Sequence, residues 1–99
     1  MKSTMETARA RLVPLLEDNE LTAGMSVRIH GDHLILARSD PETEAETTDR
    51  VRLTRLNASR YGLSVKRHTG RWERTPFSGT LKEMVHVMHT SMQHLVAAW

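Results

Sequence analysis

Residues 25–38 read MSVRIHGDHLILAR, and the pair Gly31-Asp32 at their centre decides how the rest of the chain is interpreted. Glycine supplies the backbone freedom of a two-residue turn, and the runs on either side are rich in Val, Ile and Leu, so the stretch predicts a β-hairpin. A two-residue loop sets His30 opposite His33, Ile29 opposite Leu34 and Val27 opposite Leu36. Cross-strand partners share a face. Val27, Ile29, Leu34 and Leu36 therefore form a core side, while Arg28, His30, His33 and Ile35 point the other way.

Alternation resumes downstream, where Arg50 to Asn57 and Arg60 to His68 turn Val51, Leu53, Tyr61, Leu63 and Val65 inward, joined by a turn at Asn57 to Ser59. Thr69-Gly70 reads as a second two-residue turn. It pairs His68 with Arg71, Arg67 with Trp72 and Lys66 with Glu73, and a fifth strand from Arg71 to Thr75 ends at Pro76.

Helical signals bracket this β region. Ser3-Thr4-Met5-Glu6 has the form of a capping box, followed by a stripe of Met5, Ala8, Leu12, Leu15 and Leu16; Pro14 predicts a kink or break near Val13. A second capping box at Thr80 to Glu83 precedes Leu81, Met84, Val85, Met88, Met92, Leu95, Val96 and Trp99. Their spacing of three and four predicts a long final helix of about five turns. The expected fold is α+β in the order αβββββα: a five-stranded antiparallel meander whose N-terminal helix and long C-terminal helix lie on one face, leaving the other uncovered.

With 99 residues, 38% of them hydrophobic, the chain has room for one domain, residues 1–99, and not for two. The absence of cysteine removes thiol nucleophiles, thiolate metal sites and redox motifs, and fits a reducing compartment. Apolar runs fall far short of the roughly 20 residues that cross a bilayer, so we expect a cytoplasmic protein with no membrane partner.

The net charge of +2 is a sum of unlike blocks. Residues 40–49 hold Asp40, Glu42, Glu44, Glu46 and Asp49 with no base, and the interval 39–49 reads as a mobile acidic loop. Arg50, Arg52, Arg55, Arg60, Lys66, Arg67, Arg71 and Arg74 then face Glu73 alone. On the expected pairing Arg50, Arg52, Arg60, Lys66, His68 and Arg71 make a positive platform on the uncovered face. The four aromatic residues, Tyr61, Trp72, Phe77 and Trp99, are expected inward, leaving that platform without rings for bases to stack on.

The other constellations are weaker. His30 with His33, or His86 with His89, offers two ligands where a zinc-like ion needs three or four, so no metal or other cofactor is expected. The methionine stripe reads as core, and its length admits a homodimer through the C-terminal helix. No nucleotide loop, nucleophile elbow or HExxH motif occurs, and the chain reads as non-catalytic. The reading that follows is a small interaction protein, an inhibitor or adaptor, that binds a larger protein through charged patches: Asp40, Glu42, Glu44 and Glu46 on one, Arg52, Arg60, Lys66 and Arg71 on the other. The alternative is a nucleic-acid-binding module that uses the basic sheet face.

Overall fold

A computed structural model describes residues 4–39, 47–67 and 69–92. Helix α1 (Thr4–Glu17) leads into β1 (Ser26–His30), β2 (His33–Ser39), β3 (Thr47–Arg55), β4 (Tyr61–Lys66), β5 (Trp72–Gly79) and α2 (Leu81–Thr90). The strands form one antiparallel sheet in the order β1-β2-β3-β4-β5, the α+β meander that the alternation predicts. Gly31 takes φ of +61° and no other residue of that turn is positive, the pattern of a type II′ turn. His30↔His33, Ile29↔Leu34 and Val27↔Leu36 pair as the two-residue loop requires.

Both helices lie on one face. Met5, Ala8, Leu12 and Leu16 of α1 and Leu81, Met84, Val85 and Met88 of α2 join Leu34, Leu36, Val51, Leu53, Tyr61, Leu63 and Val65 of the sheet in one buried cluster. Burying each large apolar side chain contributes about 2 kcal/mol, so this layer is the main source of stability. A polar latch ties the helices together. The Thr22 hydroxyl donates to the Leu16 carbonyl at 2.6 Å, which leaves it an acceptor for His89 Nε2 at 2.9 Å. His89 therefore carries a proton on Nε2, and burial lowers its pKa from the usual histidine value, with His86 adding to the effect.

Several expectations are corrected. Helix α1 runs unbroken through Pro14 to Glu17. Proline removes one amide donor, but Ala10, whose carbonyl loses it, is exposed to water, so the helix does not break there. Helix α2 ends at Thr90 with Ser91 as its C-cap, ten residues rather than five turns; Leu95, Val96, Trp99 and His94 lie outside the described residues. Strand β5 continues past Pro76 to Gly79, because proline sits at an irregularity on an edge strand where no neighbour needs its amide. Ser39 and Thr47 to Asp49, expected in the acidic loop, belong to the β2–β3 ladder.

Two register features set the uncovered face. The β4–β5 turn is longer by one residue than a Thr69-Gly70 turn would be: the Arg67 amide donates to the Arg71 carbonyl at 2.8 Å, with Gly70 at φ +85°. Lys66 consequently pairs with Trp72, not Glu73, and Ser64 with Arg74. The β2–β3 ladder also slips between Leu36 and Ala37, so that Val51 pairs with Leu36 but Asp49 with Ala37, and Arg50 is the extra residue.

Candidate binding face

The pairing writes the uncovered face as cross-strand rows. One runs Arg28, Ile35, Arg52, Ser64, Arg74 from β1 to β5. On one side of it lie Ala37, Asp49, Lys66 and Trp72; on the other, His30, His33, Thr54, Gly62 and Ser78. No described helix packs here, yet Ile35 is only 6% exposed, Ser64 3% and Ala37 1%. Long cationic side chains lie over a floor of small and apolar residues, burying their stems and leaving their charged ends in water.

Asp49 is the hub. It accepts from Arg28 Nη1 and Nη2 at 2.6 and 2.8 Å, a two-pronged pair, and its other contact is Lys66 Nζ at 3.7 Å. The Arg28 hydrogen bonds hold the Asp49 carboxyl below the usual carboxylate range, and Asp49 in turn raises the Arg28 pKa. The Trp72 ring takes the Arg52 guanidinium at 4.9 Å and Lys66 Nζ at 5.5 Å from its centroid. A continuous chain of contacts, Arg28–Asp49–Lys66–Trp72–Arg52, thus links β1, β3, β4 and β5.

The expected platform is partly rearranged. Arg52 and Lys66 stand on it as predicted. Arg60 sits at the far end of β4, about 20 Å along the chain from Lys66, with Nη2 donating to Ser78 Oγ at 2.9 Å. The one-residue shift moves Arg71 to a position opposite Arg67, where it closes the loop instead of standing on the platform with Lys66. Arg50 does not project from the open side: it is 7% exposed, and burial, with Arg38 nearby, lowers its pKa. Glu73 does not neutralise Lys66; it pairs with Arg67 at 3.2 Å. Asp40, Glu42, Glu44, Glu46 and His68 lie outside the described residues.

Sequence reasoning missed Trp72 and Arg74 as members of this face, because both depend on the loop length at residues 67–71. It also missed a pocket of about 230 Å³ at the β3–β4 turn end of the face, lined by Thr54, Leu56, Gly62, Ser64, Arg74 and Phe77 among others. Leu56 is 58% exposed and Phe77 37%. Phe77, expected inward, lies unpaired in the irregularity between Arg74 and Ser78 at the sheet edge, where it borders this pocket and another lined by Lys82, His86 and Val87 of α2.

The histidines on this face stack, His30 on His33 with centroids 6.5 Å apart, and His33 Nδ1 lies 2.9 Å from Thr54 Oγ1. Burial, the Arg52 charge and His30 lower the His33 pKa. Among the described residues no group of three or more His, Cys, Asp or Glu gathers to hold a metal ion. No described helix is long and apolar enough to cross a membrane. No family model, curated protein or solved structure matches the chain.

Proposed function

We propose that this is a small non-catalytic interaction protein, an inhibitor or adaptor, that binds a larger protein with its uncovered sheet face. The observation that carries the reading is the mixture on that face: Arg28, Arg52, Lys66 and Arg74 against Asp49, the one carboxylate among its described residues, beside the exposed Leu56 and Phe77. Aromatic, aliphatic and arginine side chains in one patch are the composition of protein interfaces, and surplus positive charge steers an acidic partner. Asp49 also favours protein over nucleic acid, since it already satisfies Arg28 and Lys66, two cations otherwise placed for phosphates.

The test is chemical crosslinking in an extract of the cell that makes the protein, mapped by mass spectrometry, with Arg52→Glu/Arg74→Glu as comparison. We expect one acidic partner, crosslinked on the uncovered face, lost in the charge-reversed variant and weakened by salt. Crosslinks confined to the helical face would overturn the reading.

A second reading, nucleic-acid binding, gains from Trp72, whose ring stands among cations on the uncovered face. It predicts that oligothymidylate binds, and that replacing Arg52, Arg60 and Lys66 by Ala flattens the salt dependence of its affinity. Unchanged affinity in that variant removes it.

A further inference from the structure

We propose that the uncovered face docks an extended segment of its protein partner in which a carboxylate side chain stands two residues from a large apolar one. The inference rests on the protein-binding reading above and adds where the partner sits and what chemistry is recognised.

The cations of the face are not equivalent. Arg28 and Lys66 share Asp49, and Arg67 at the loop has Glu73. Arg52 and Arg74 have no ion pair to a carboxylate among the described residues. They flank Ser64 in one cross-strand row, placing their backbones about 10 Å apart, near enough for both guanidinium forks to converge on one carboxylate. Arg52 is held in place by the Trp72 ring, and its Nε is buried with no hydrogen-bond partner among the described residues.

One row further lies the apolar half of the site. Gly62 has no side chain to fill the space above β4, and the Leu56 side chain leans over it, 3.7 Å from where a Cβ would stand. Of the three large apolar side chains that are exposed among the described residues, Leu56 and Phe77 line this same pocket, which Ser64 and Arg74 also border. The step from the Ser64 row to the Gly62 row is two residues of strand, about 7 Å. In an extended peptide the side chains at i and i+2 share a face with that same separation, so an acidic residue over Arg52 and Arg74 places the residue two away over Gly62. Adjacent acidic and apolar residues point to opposite sides and cannot reach both.

The test is amide chemical-shift titration of the whole chain with three end-blocked hexapeptides and a six-nucleotide oligothymidylate. The peptides are Gly-Ser-Glu-Ser-Leu-Gly, Gly-Ser-Glu-Leu-Ser-Gly and Gly-Ser-Gln-Ser-Leu-Gly. We expect the first to bind about tenfold or more tighter than the other two, since the Gln peptide loses a charge-assisted hydrogen bond and the Glu-Leu peptide loses the burial of its leucine. Its shifts should centre on Gly62, Ser64, Arg74 and Phe77. Arg74→Ala and Phe77→Ser should each weaken it, while Val13→Ser, on the exposed side of α1, should leave it unchanged. Equal affinity for the three peptides, shifts centred on the α2 side at Lys82 and His86, or preference for oligothymidylate would overturn the inference. The two readings fail separately. A crosslinked partner with no spacing preference sinks this inference alone, whereas spacing-dependent peptide binding with no crosslinked partner sinks the protein-binding role and leaves the site's chemistry standing.

Discussion

The two faces of this sheet follow one alternation and solve opposite problems. On the covered side, Leu34, Leu36, Val51, Leu53 and Leu63 are essentially fully buried against two helices. On the uncovered side, Ile35, Ala37 and Ser64 are nearly as buried, yet no described helix packs over them. One face is closed by the hydrophobic effect between elements; the other by arginine and lysine stems anchored on Asp49 and Trp72. Buried area alone thus does not distinguish a core from a surface that remains available to a partner.

Adjacent residues on β3 give the sharpest test of that distinction. Leu53 is fully buried at the centre of the core, and Leu53→Ala should cost about 3 kcal/mol through lost burial and the cavity left behind. Arg52, next in sequence and pointing the other way, loses a half-buried cation–π contact when changed to Ala, a cost of about 1 kcal/mol. Urea denaturation of the two variants measures both. Near-equal losses would mean that the uncovered face is a second core and not a binding surface.

The same contrast explains what was legible in the sequence. Gly31-Asp32 fixed the β1–β2 register because a two-residue loop with one positive-φ glycine leaves a single pairing, and Leu34 and Leu36 on the core side allow no slip without exposing the strand. Thr80 and Glu83 cap α2 from both sides, as the motif requires: the Glu83 amide donates to Thr80 Oγ1 and the Thr80 amide to Glu83 Oε1. The β4–β5 turn was not legible. Thr69-Gly70 serves two-residue and longer loops alike, and β5 is an exposed edge strand whose two sides carry Trp72, Glu73 and Arg74, so no burial penalty selects the register. The Arg50 irregularity left no local signal either. It moves Asp49 onto the face it organises, a consequence of pairing with Ala37 that composition cannot reveal.

On the covered side, the latch between α1 and α2 ranks next in expected effect. Thr22→Val removes the donor to Leu16 and the acceptor for His89 at a fully buried position, which should cost about 2 kcal/mol. The His89 pKa is lower folded than unfolded, so the unfolded chain binds the proton more readily. The neutral ring's contribution is therefore complete above the ordinary histidine value of about 6.5 and is lost as pH falls through the folded pKa. His89→Gln, which keeps a donor but does not titrate, should flatten that part of the stability–pH curve. A curve identical to the parent's would place His89 outside the latch.

The smallest effect is expected at the hub of the uncovered face. Arg28 is half exposed, so its two-pronged pair with Asp49 is screened by solvent, and Asp49→Asn should cost no more than about 1 kcal/mol. The sign with pH follows from the depressed Asp49 pKa: its contribution is full above the unfolded carboxylate value of about 4 and disappears as pH falls through the folded one. The variant should lose stability at pH 7 and converge on the parent in acid. Its binding should change in the opposite sense, because releasing Arg28 and Lys66 from Asp49 adds two available cations to the face. An acidic partner should then bind faster at low salt, with the gain vanishing at high salt. If Asp49→Asn instead slows association, the carboxylate is needed to hold the cations in position, and preorganisation outweighs the charge it cancels.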